Sequence, residues 1–157
     1  MEKYYQKMLN YIHQRPRLKK IIIDICHYFP YIPFCMYPCL LFFLFLNQNP
    51  LFMMTIIKPL SAFLIVTLFR KIVNRPRPYV AMNIKPLLTQ KQGESFPSRH
   101  TVSAFIIALM FTHVNVYLGI MTLIVAMIIS GSRILAGVHY ISDVVVSILI
   151  AIMIDMI

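Results

Sequence analysis

Long apolar runs separated by short polar segments dominate the chain. The runs cover residues 21–46, 51–69, 102–129 and 141–157, and each is long enough to form at least one helix across the hydrocarbon core of a bilayer. Three prolines interrupt the first run, so we expect its membrane-spanning part at about residues 30–46. The pattern therefore predicts an all-α, integral membrane helical bundle.

The third apolar run lies within a stretch of about thirty residues between His100 and Ser132. A single straight helix of that length would measure roughly 45 Å, which is more than a bilayer core requires. If the two polar ends of the stretch serve one site, the chain between them crosses the membrane an even number of times. We therefore predict two spans that turn near residues 113–119, and about five transmembrane helices in a single domain.

Basic residues are concentrated in two segments of a chain whose formal net charge is +10. Six of the fifteen lysines and arginines lie in residues 1–20 and seven lie in residues 70–100. Tyrosines and aliphatic residues among the first lysines predict an N-terminal interfacial helix on an anionic membrane surface, ending near Arg15 and Pro16; a solvated tail fits equally well. Anionic lipids and a phosphorylated substrate explain the excess of charge better than nucleic acid, since no basic soluble module is visible.

The longest polar connection, residues 70–100, is predicted to be a catalytic loop, because loops of this length in compact chains are usually functional. It ends at Ser98, where a helix is predicted to begin. The Ser98 hydroxyl and the free backbone amides of the first helical turn would bind an anion, reinforced by the helix dipole.

The second polar segment contains Arg133, His139 and Asp143. If the chain is helical from His139 onward, His139 and Asp143 share one face, and the carboxylate can orient the imidazole ring. Arg133 supplies a planar set of donors suited to a phosphate or a carboxylate. The alternative is an arginine at the membrane interface beside a His–Asp pair that only satisfies its own hydrogen bonds.

Together, the polar segments hold several cations, two histidines and one orienting carboxylate, a combination suited to phosphoryl transfer without a metal. Cations would hold the non-bridging oxygens, one histidine would attack phosphorus, and the other would protonate the leaving oxygen. Metal binding is disfavoured because the surroundings are cationic and only one carboxylate is available. The candidate residues are Arg70, Lys71, Arg77, Ser98, His100, Arg133, His139 and Asp143.

Three motifs in these segments resemble the signature of the type-2 phosphatidic acid phosphatase superfamily, which includes lipid phosphate phosphatases and vanadium haloperoxidases. That signature is K-x6-R-P, then P-S-G-H, then S-R-x5-H-x3-D. The third motif is complete here, whereas Arg70 replaces the lysine of the first, with Lys71 one position along, and Arg99 replaces the glycine of the second. The matching residues are Arg70, Arg77, Pro78, Pro97, Ser98, His100, Ser132, Arg133, His139 and Asp143.

The resemblance implies a metal-free mechanism that needs no cofactor. It makes His139 the nucleophile that forms a phosphohistidine, Asp143 the residue that fixes its tautomer, and His100 the proton donor that later activates water. The phosphate oxygens would be bound by Arg77, Arg133, Ser98 and the backbone near Arg99, with Arg70 or Lys71 completing the site.

The resemblance also implies a substrate that is a lipid phosphate or an isoprenoid pyrophosphate, such as undecaprenyl pyrophosphate, phosphatidylglycerol phosphate or phosphatidic acid. A soluble phosphate ester is the alternative substrate. The alternative function is that of a non-catalytic protein that binds anionic lipids at a relic site. Such a protein would have no need to retain His100, His139 and Asp143 together.

We expect the protein to lie in a bacterial cell membrane. The family generally places its site on the extracytoplasmic side, and we adopt that side on the resemblance alone. The basic N-terminus favours the opposite side, because two spans before Arg70 put the N-terminus and the site on the same face.

Overall fold

The computed structural model describes residues 2–157, and all regular elements in that range are helices. The eight helices are α1 (Glu2–His13), α2 (Pro16–Tyr28), α3 (Tyr31–Leu46), α4 (Leu51–Val73), α5 (Pro78–Ala81), α6 (Arg99–Val114), α7 (Val116–Leu135) and α8 (Ile141–Met156). The predicted all-α membrane bundle is confirmed.

Helix α6 is the centre of the bundle and packs against α3, α4, α7 and α8. Its buried residues include Ala104 and Ala108, and small side chains of this kind let neighbouring helices approach closely. Large apolar side chains on the outer helices, such as Phe63 of α4 and Met127 of α7, are exposed. A bundle that is apolar outside as well as inside is suited to lipid rather than water.

Three helical segments are long and apolar enough to cross a membrane: Pro16–Leu46, which contains α2 and α3, Leu51–Ala81, which contains α4 and α5, and Val116–Leu135, which is α7. Helix α6 is apolar but shorter. It ends at Val114 and α7 begins at Val116, so the third apolar run forms two helices that turn inside the predicted interval. The count of five membrane crossings stays a prediction.

The N-terminal segment forms two helices that separate at Gln14 and Arg15, where the interfacial helix was predicted to end. The apolar face of α1 is covered by protein, because Leu9 and Ile12 pack in one cluster with Ala136 and Val138. The predicted contact of α1 with a membrane surface therefore concerns only its outer face, where the lysines are exposed, and stays a prediction.

An ion cluster ties three helices together at the end of the bundle where α6 finishes. The Asp155 carboxylate lies 3.6 Å from Lys58 Nζ and 2.8 Å from His113 Nε2. Lys58 also donates a hydrogen bond to the Asp155 backbone carbonyl. The lysine within the second apolar run therefore faces a protein partner, as a charge in a membrane helix requires.

The turn between α6 and α7 depends on Gly119, since a Cβ atom there would lie 2.3–2.7 Å from side-chain and backbone atoms of Thr112. We expect Gly119→Ala to destabilise the folded protein by about 1–3 kcal/mol, because the backbone of α6 must move. Thermal unfolding of the detergent-purified protein would measure the change. Gly131→Ala is the matched control: it lies in α7 with nothing within 4 Å of its added Cβ. Equal stability of the two variants would contradict the close packing.

Candidate active site

The candidate residues meet at one end of the bundle. The C-terminal ends of α4 and α7 and the N-terminal ends of α6 and α8 converge there, and residues 74–98 fold over them. Backbone hydrogen bonds hold this loop in place, including Leu87 N–H to the Ala136 carbonyl at 3.1 Å and Ser95 N–H to the Arg75 carbonyl at 2.9 Å. Polar segments far apart in sequence therefore form one site.

His139 lies in the connection between α7 and α8 rather than in the helix, which corrects the predicted helical start. Helix α8 begins at Ile141, because the Asp143 carboxylate accepts a hydrogen bond from the Tyr140 backbone amide at 3.0 Å and caps the helix there. His139 still approaches the same carboxylate, with 3.5 Å between His139 Nδ1 and Asp143 Oδ2. Both side chains are almost fully buried.

Two residues that were not predicted from the sequence fix the Asp143 carboxylate. Arg75 donates a hydrogen bond to Oδ1 at 2.8 Å, and Ser95 donates one to Oδ2 at 2.5 Å. The Arg75 guanidinium also lies over the Tyr140 ring, 3.9 Å from its centroid. The sequence shows Arg75 next to the Arg77-Pro78 part of the first motif, but it does not show that Arg75 pairs with Asp143 of α8.

Burial lowers the pKa of His139, and the nearby Arg77 charge lowers it further, although Asp143 acts in the opposite direction. The imidazole is therefore neutral near pH 7. A neutral ring that directs one nitrogen at a carboxylate keeps a lone pair on its other nitrogen, which is the form that a nucleophile requires.

Three arginines are buried around the His139 segment. Arg70 donates to the Pro97 carbonyl at 2.9 Å, Arg77 to the Val138 carbonyl at 3.0 Å, and Arg133 to the Cys26 carbonyl at 2.8 Å. Lys71, by contrast, is exposed. Of the two residues proposed for the first motif, it is Arg70 that lies inside the site.

Two of these arginines keep an unused donor. The Nε atoms of Arg70 and Arg133 are buried and have no hydrogen-bond partner among residues 2–157. A buried N–H without a partner is unfavourable unless a ligand satisfies it. Because both groups are cationic, the ligand that fits them is an anion.

Ser98 precedes the first residue of α6 and is fully buried. Its backbone amide donates to Ser147 Oγ of α8 at 2.8 Å, and its hydroxyl accepts a hydrogen bond from Thr101 at 3.1 Å. The hydroxyl therefore does not cap the helix, and the first-turn amides are left for another acceptor. Ser147, four residues after Asp143, was missed because its partner is distant in sequence.

His100 borders two cavities. One, of about 490 Å³, has a mixed lining that includes the polar side chains of Arg133 and Gln90 and the apolar side chain of Phe34. The other, of about 390 Å³, is lined mainly by apolar side chains, including Phe34, Phe63 and Ile129, together with Arg99. His100 thus lies between a cavity with a mixed lining and a mainly apolar one.

Within residues 2–157, no group of three or more His, Cys, Asp or Glu side chains is arranged to hold a metal ion. A buried His–Asp pair surrounded by arginines, at one end of a membrane helical bundle, is an arrangement suited to binding a phosphate. The chain belongs to the PAP2 superfamily, whose family model matches residues 50–157. The resemblance in the three motifs is thereby confirmed.

Among curated relatives, the chain is 37% identical over 79 residues to undecaprenyl-diphosphatase BcrC of Bacillus subtilis (strain 168). The alignment covers 50% of this chain and 41% of that relative, so the chain spans about two fifths of its length.

Two solved structures are similar over nearly the whole chain. Aquifex aeolicus LpxE has a TM-score of 0.77 at 26% identity, and the match covers 98% of this chain and 91% of the LpxE chain. The PAP2-type phosphatidylglycerolphosphate phosphatase of Bacillus subtilis has a TM-score of 0.67 at 19% identity, and the match covers 98% of this chain and 82% of that one. At this identity the similarity supports a common fold and nothing further.

We expect the imidazole of His139 to stay neutral as the pH falls through about 6.5, the ordinary value for histidine, because burial disfavours its charged form. ¹⁵N NMR of histidine-labelled protein, with His139→Gln to assign the resonance, would measure this. Asp143→Asn should lower the pKa further, since it removes the charge that favours imidazolium. A His139 pKa at or above 6.5 would contradict the burial argument.

Proposed function

We propose that the protein is a membrane phosphatase that hydrolyses a lipid phosphate or an isoprenoid pyrophosphate through a phosphohistidine intermediate. The observation that carries this proposal is the neutral, buried His139 beside the Asp143 carboxylate, among arginines whose buried donors have no partner. An orienting acid, a nucleophile and arginine donors placed to bind phosphate oxygens are what metal-free phosphoryl transfer requires.

In the first step, the Nε2 lone pair of His139 attacks phosphorus and the bond from phosphorus to the leaving oxygen breaks. The Asp143 carboxylate accepts a hydrogen bond from Nδ1–H, which stays on the ring, and stabilises the positive charge that develops there. The negative charge of the bound phosphate favours the protonated form of His100. His100 then gives its proton to the leaving oxygen, which departs as the lipid alcohol or, from a pyrophosphate, as the lipid monophosphate.

In the second step, His100, now neutral, takes a proton from a water molecule that attacks the phosphohistidine. The bond from phosphorus to Nε2 breaks, inorganic phosphate leaves, and His139 regains its neutral form. The arginines act in both steps by binding non-bridging oxygens, with the free Nε–H groups of Arg70 and Arg133 directed at the phosphoryl group. These interactions are prearranged, so little reorganisation is needed as charge moves.

The two cavities at His100 support an amphiphilic substrate. A phosphate bound beside Arg133 places its leaving oxygen near His100, and the apolar cavity beyond offers space for the start of a hydrocarbon chain. Phe34 and Phe63 are exposed on the outer surface of the bundle, so that cavity adjoins the region where lipid would lie.

The name of the Bacillus relative supports undecaprenyl pyrophosphate as the first substrate to test. Phosphatidylglycerol phosphate, which the second solved neighbour is named for, and phosphatidic acid remain candidates. We place the site on the extracytoplasmic face of a bacterial cell membrane on the family resemblance.

The alternative function is a non-catalytic protein that binds anionic lipids at a relic site. The buried His139–Asp143 pair disfavours this alternative, because lipid binding alone does not require a nucleophile with an orienting acid.

We expect the detergent-purified protein to release phosphate from at least one of these three lipids in the presence of a chelator. His139→Ala should reduce the rate by about 10³-fold or more, since it removes the nucleophile. His113→Ala is the matched control, because His113 lies at the opposite end of the bundle. Release that needs a divalent ion, or that survives the loss of His139, would overturn the mechanism, and no release from any lipid would favour the relic.

Ser103 of α6 also lines the apolar cavity beside His100. We expect Ser103→Leu to narrow this cavity and to raise KM for the lipid substrate by about tenfold, which corresponds to about 1.4 kcal/mol of lost binding. Hydrolysis of a short, water-soluble phosphate ester should change little. Cys39→Leu, in a separate apolar cavity lined also by Phe111, is the control. Equal loss on both kinds of substrate would show that the cavity does not hold the chain.

A further inference from the structure

The first 49 residues lie outside the family match, yet they contact the segment that carries Arg133 and His139. Helix α1 presents Tyr5, Leu9 and Ile12 at spacings of four and three residues, which places them on one helical face. Each of these side chains is at most 3% exposed. A helix of only twelve residues that buries three large side chains is held by packing rather than by its own propensity.

The three buried side chains of α1 lie at the connection between α7 and α8. Leu9 and Ile12 belong to one buried cluster with Ala136 and Val138. Leu9 lies so close to Gly137, whose φ is +75°, that a Cβ atom there would be 3.0 Å from Leu9 Cδ1.

Tyr5 contacts His139, the proposed nucleophile, directly. Its hydroxyl donates a hydrogen bond to the His139 backbone carbonyl at 3.2 Å, although the two residues are 134 positions apart. Its ring packs edge-on against the Tyr140 ring, with 6.3 Å between centroids.

His139 lies between two helices, where the regular pattern of helical backbone hydrogen bonds is interrupted. The Val138 carbonyl accepts a hydrogen bond from Arg77 of the family motif, and the next carbonyl, of His139, accepts one from Tyr5. The Tyr140 amide, in the same peptide group as the His139 carbonyl, donates to Asp143. The carbonyls on either side of His139 are therefore held by two donors, of which only Arg77 belongs to the matched region.

We propose that Tyr5 is a positioning residue for His139, and that α1 is a functional part of the active site. The inference rests on the proposed role of His139 as the nucleophile. A displacement of a nucleophile by 1 Å can reduce a rate about a hundredfold, so a contact that holds its backbone affects the chemical step.

The state of the Tyr5 hydroxyl agrees with this role. Burial raises the pKa of Tyr5 to about 12, although the backbone amide of Ile141 acts in the opposite direction. The hydroxyl therefore stays protonated at physiological pH and remains a donor to the carbonyl.

Tyr5→Phe tests the proposal, because it removes the donor and keeps the ring. We expect kcat, corrected for the folded fraction, to fall by about five- to tenfold, the equivalent of one hydrogen bond. KM for the lipid substrate should stay unchanged, since no phosphate contact is lost. Tyr4→Phe is the matched control: Tyr4 is the neighbouring residue and its side chain is 63% exposed.

A second measurement does not depend on activity. The ring ¹⁵N resonances of His139 should shift in Tyr5→Phe and stay in place in Tyr4→Phe, because only the first change frees the His139 backbone. An unchanged His139 resonance, or an unchanged kcat in an active protein, would overturn the proposal and leave Tyr5 with a structural role. If the wild type hydrolyses none of the lipids, the proposed function fails, and the resonance alone then decides whether Tyr5 positions His139.

Discussion

The buried carboxylate of Asp143 is the constraint on which the rest of the site depends. A charge removed from water is unfavourable by several kcal/mol unless partners surround it. Here the partners come from separate parts of the chain: Arg75 and Ser95 from the long loop, and the Tyr140 amide from the helix start, with His139 close by. The loop and the end of the bundle therefore have to form together, because neither can satisfy this carboxylate alone.

The arginines impose the opposite constraint, because several like charges are buried close together. Backbone carbonyls from three different segments accept their hydrogen bonds, which spreads the positive charge without neutralising it. The buried Nε donors of Arg70 and Arg133 have no hydrogen-bond partner, although the Glu94 carboxylate lies 3.9 Å from that of Arg70, and this is locally unfavourable for the fold. In the proposed function a bound phosphate would satisfy these donors, so some folding stability is given up for a site already arranged for its ligand.

Much of the fold could be predicted from the lengths of the apolar runs alone. The apolar stretch between His100 and Ser132 was too long for one crossing, and the chain turns at Asn115, whose side chain caps α7. The choice between Arg70 and Lys71 required the structure, since consecutive residues on a helix point about 100° apart. The contacts of Arg75, Ser95, Ser147 and Tyr5 could not be predicted, because each joins segments whose relative placement is a tertiary property.

The contact between α1 and the last helical connection also has a consequence for the order of assembly. Tyr5 is synthesised 134 residues before His139, which at ordinary translation rates is on the order of ten seconds. During that interval Ala136 and Val138 cannot yet cover the apolar face of α1, and an amphipathic helix of this kind can bind to a bilayer surface instead. The contact between Tyr5 and His139 forms only after the last helical connection has been made, so an incomplete chain lacks the arrangement of residues proposed as the active site.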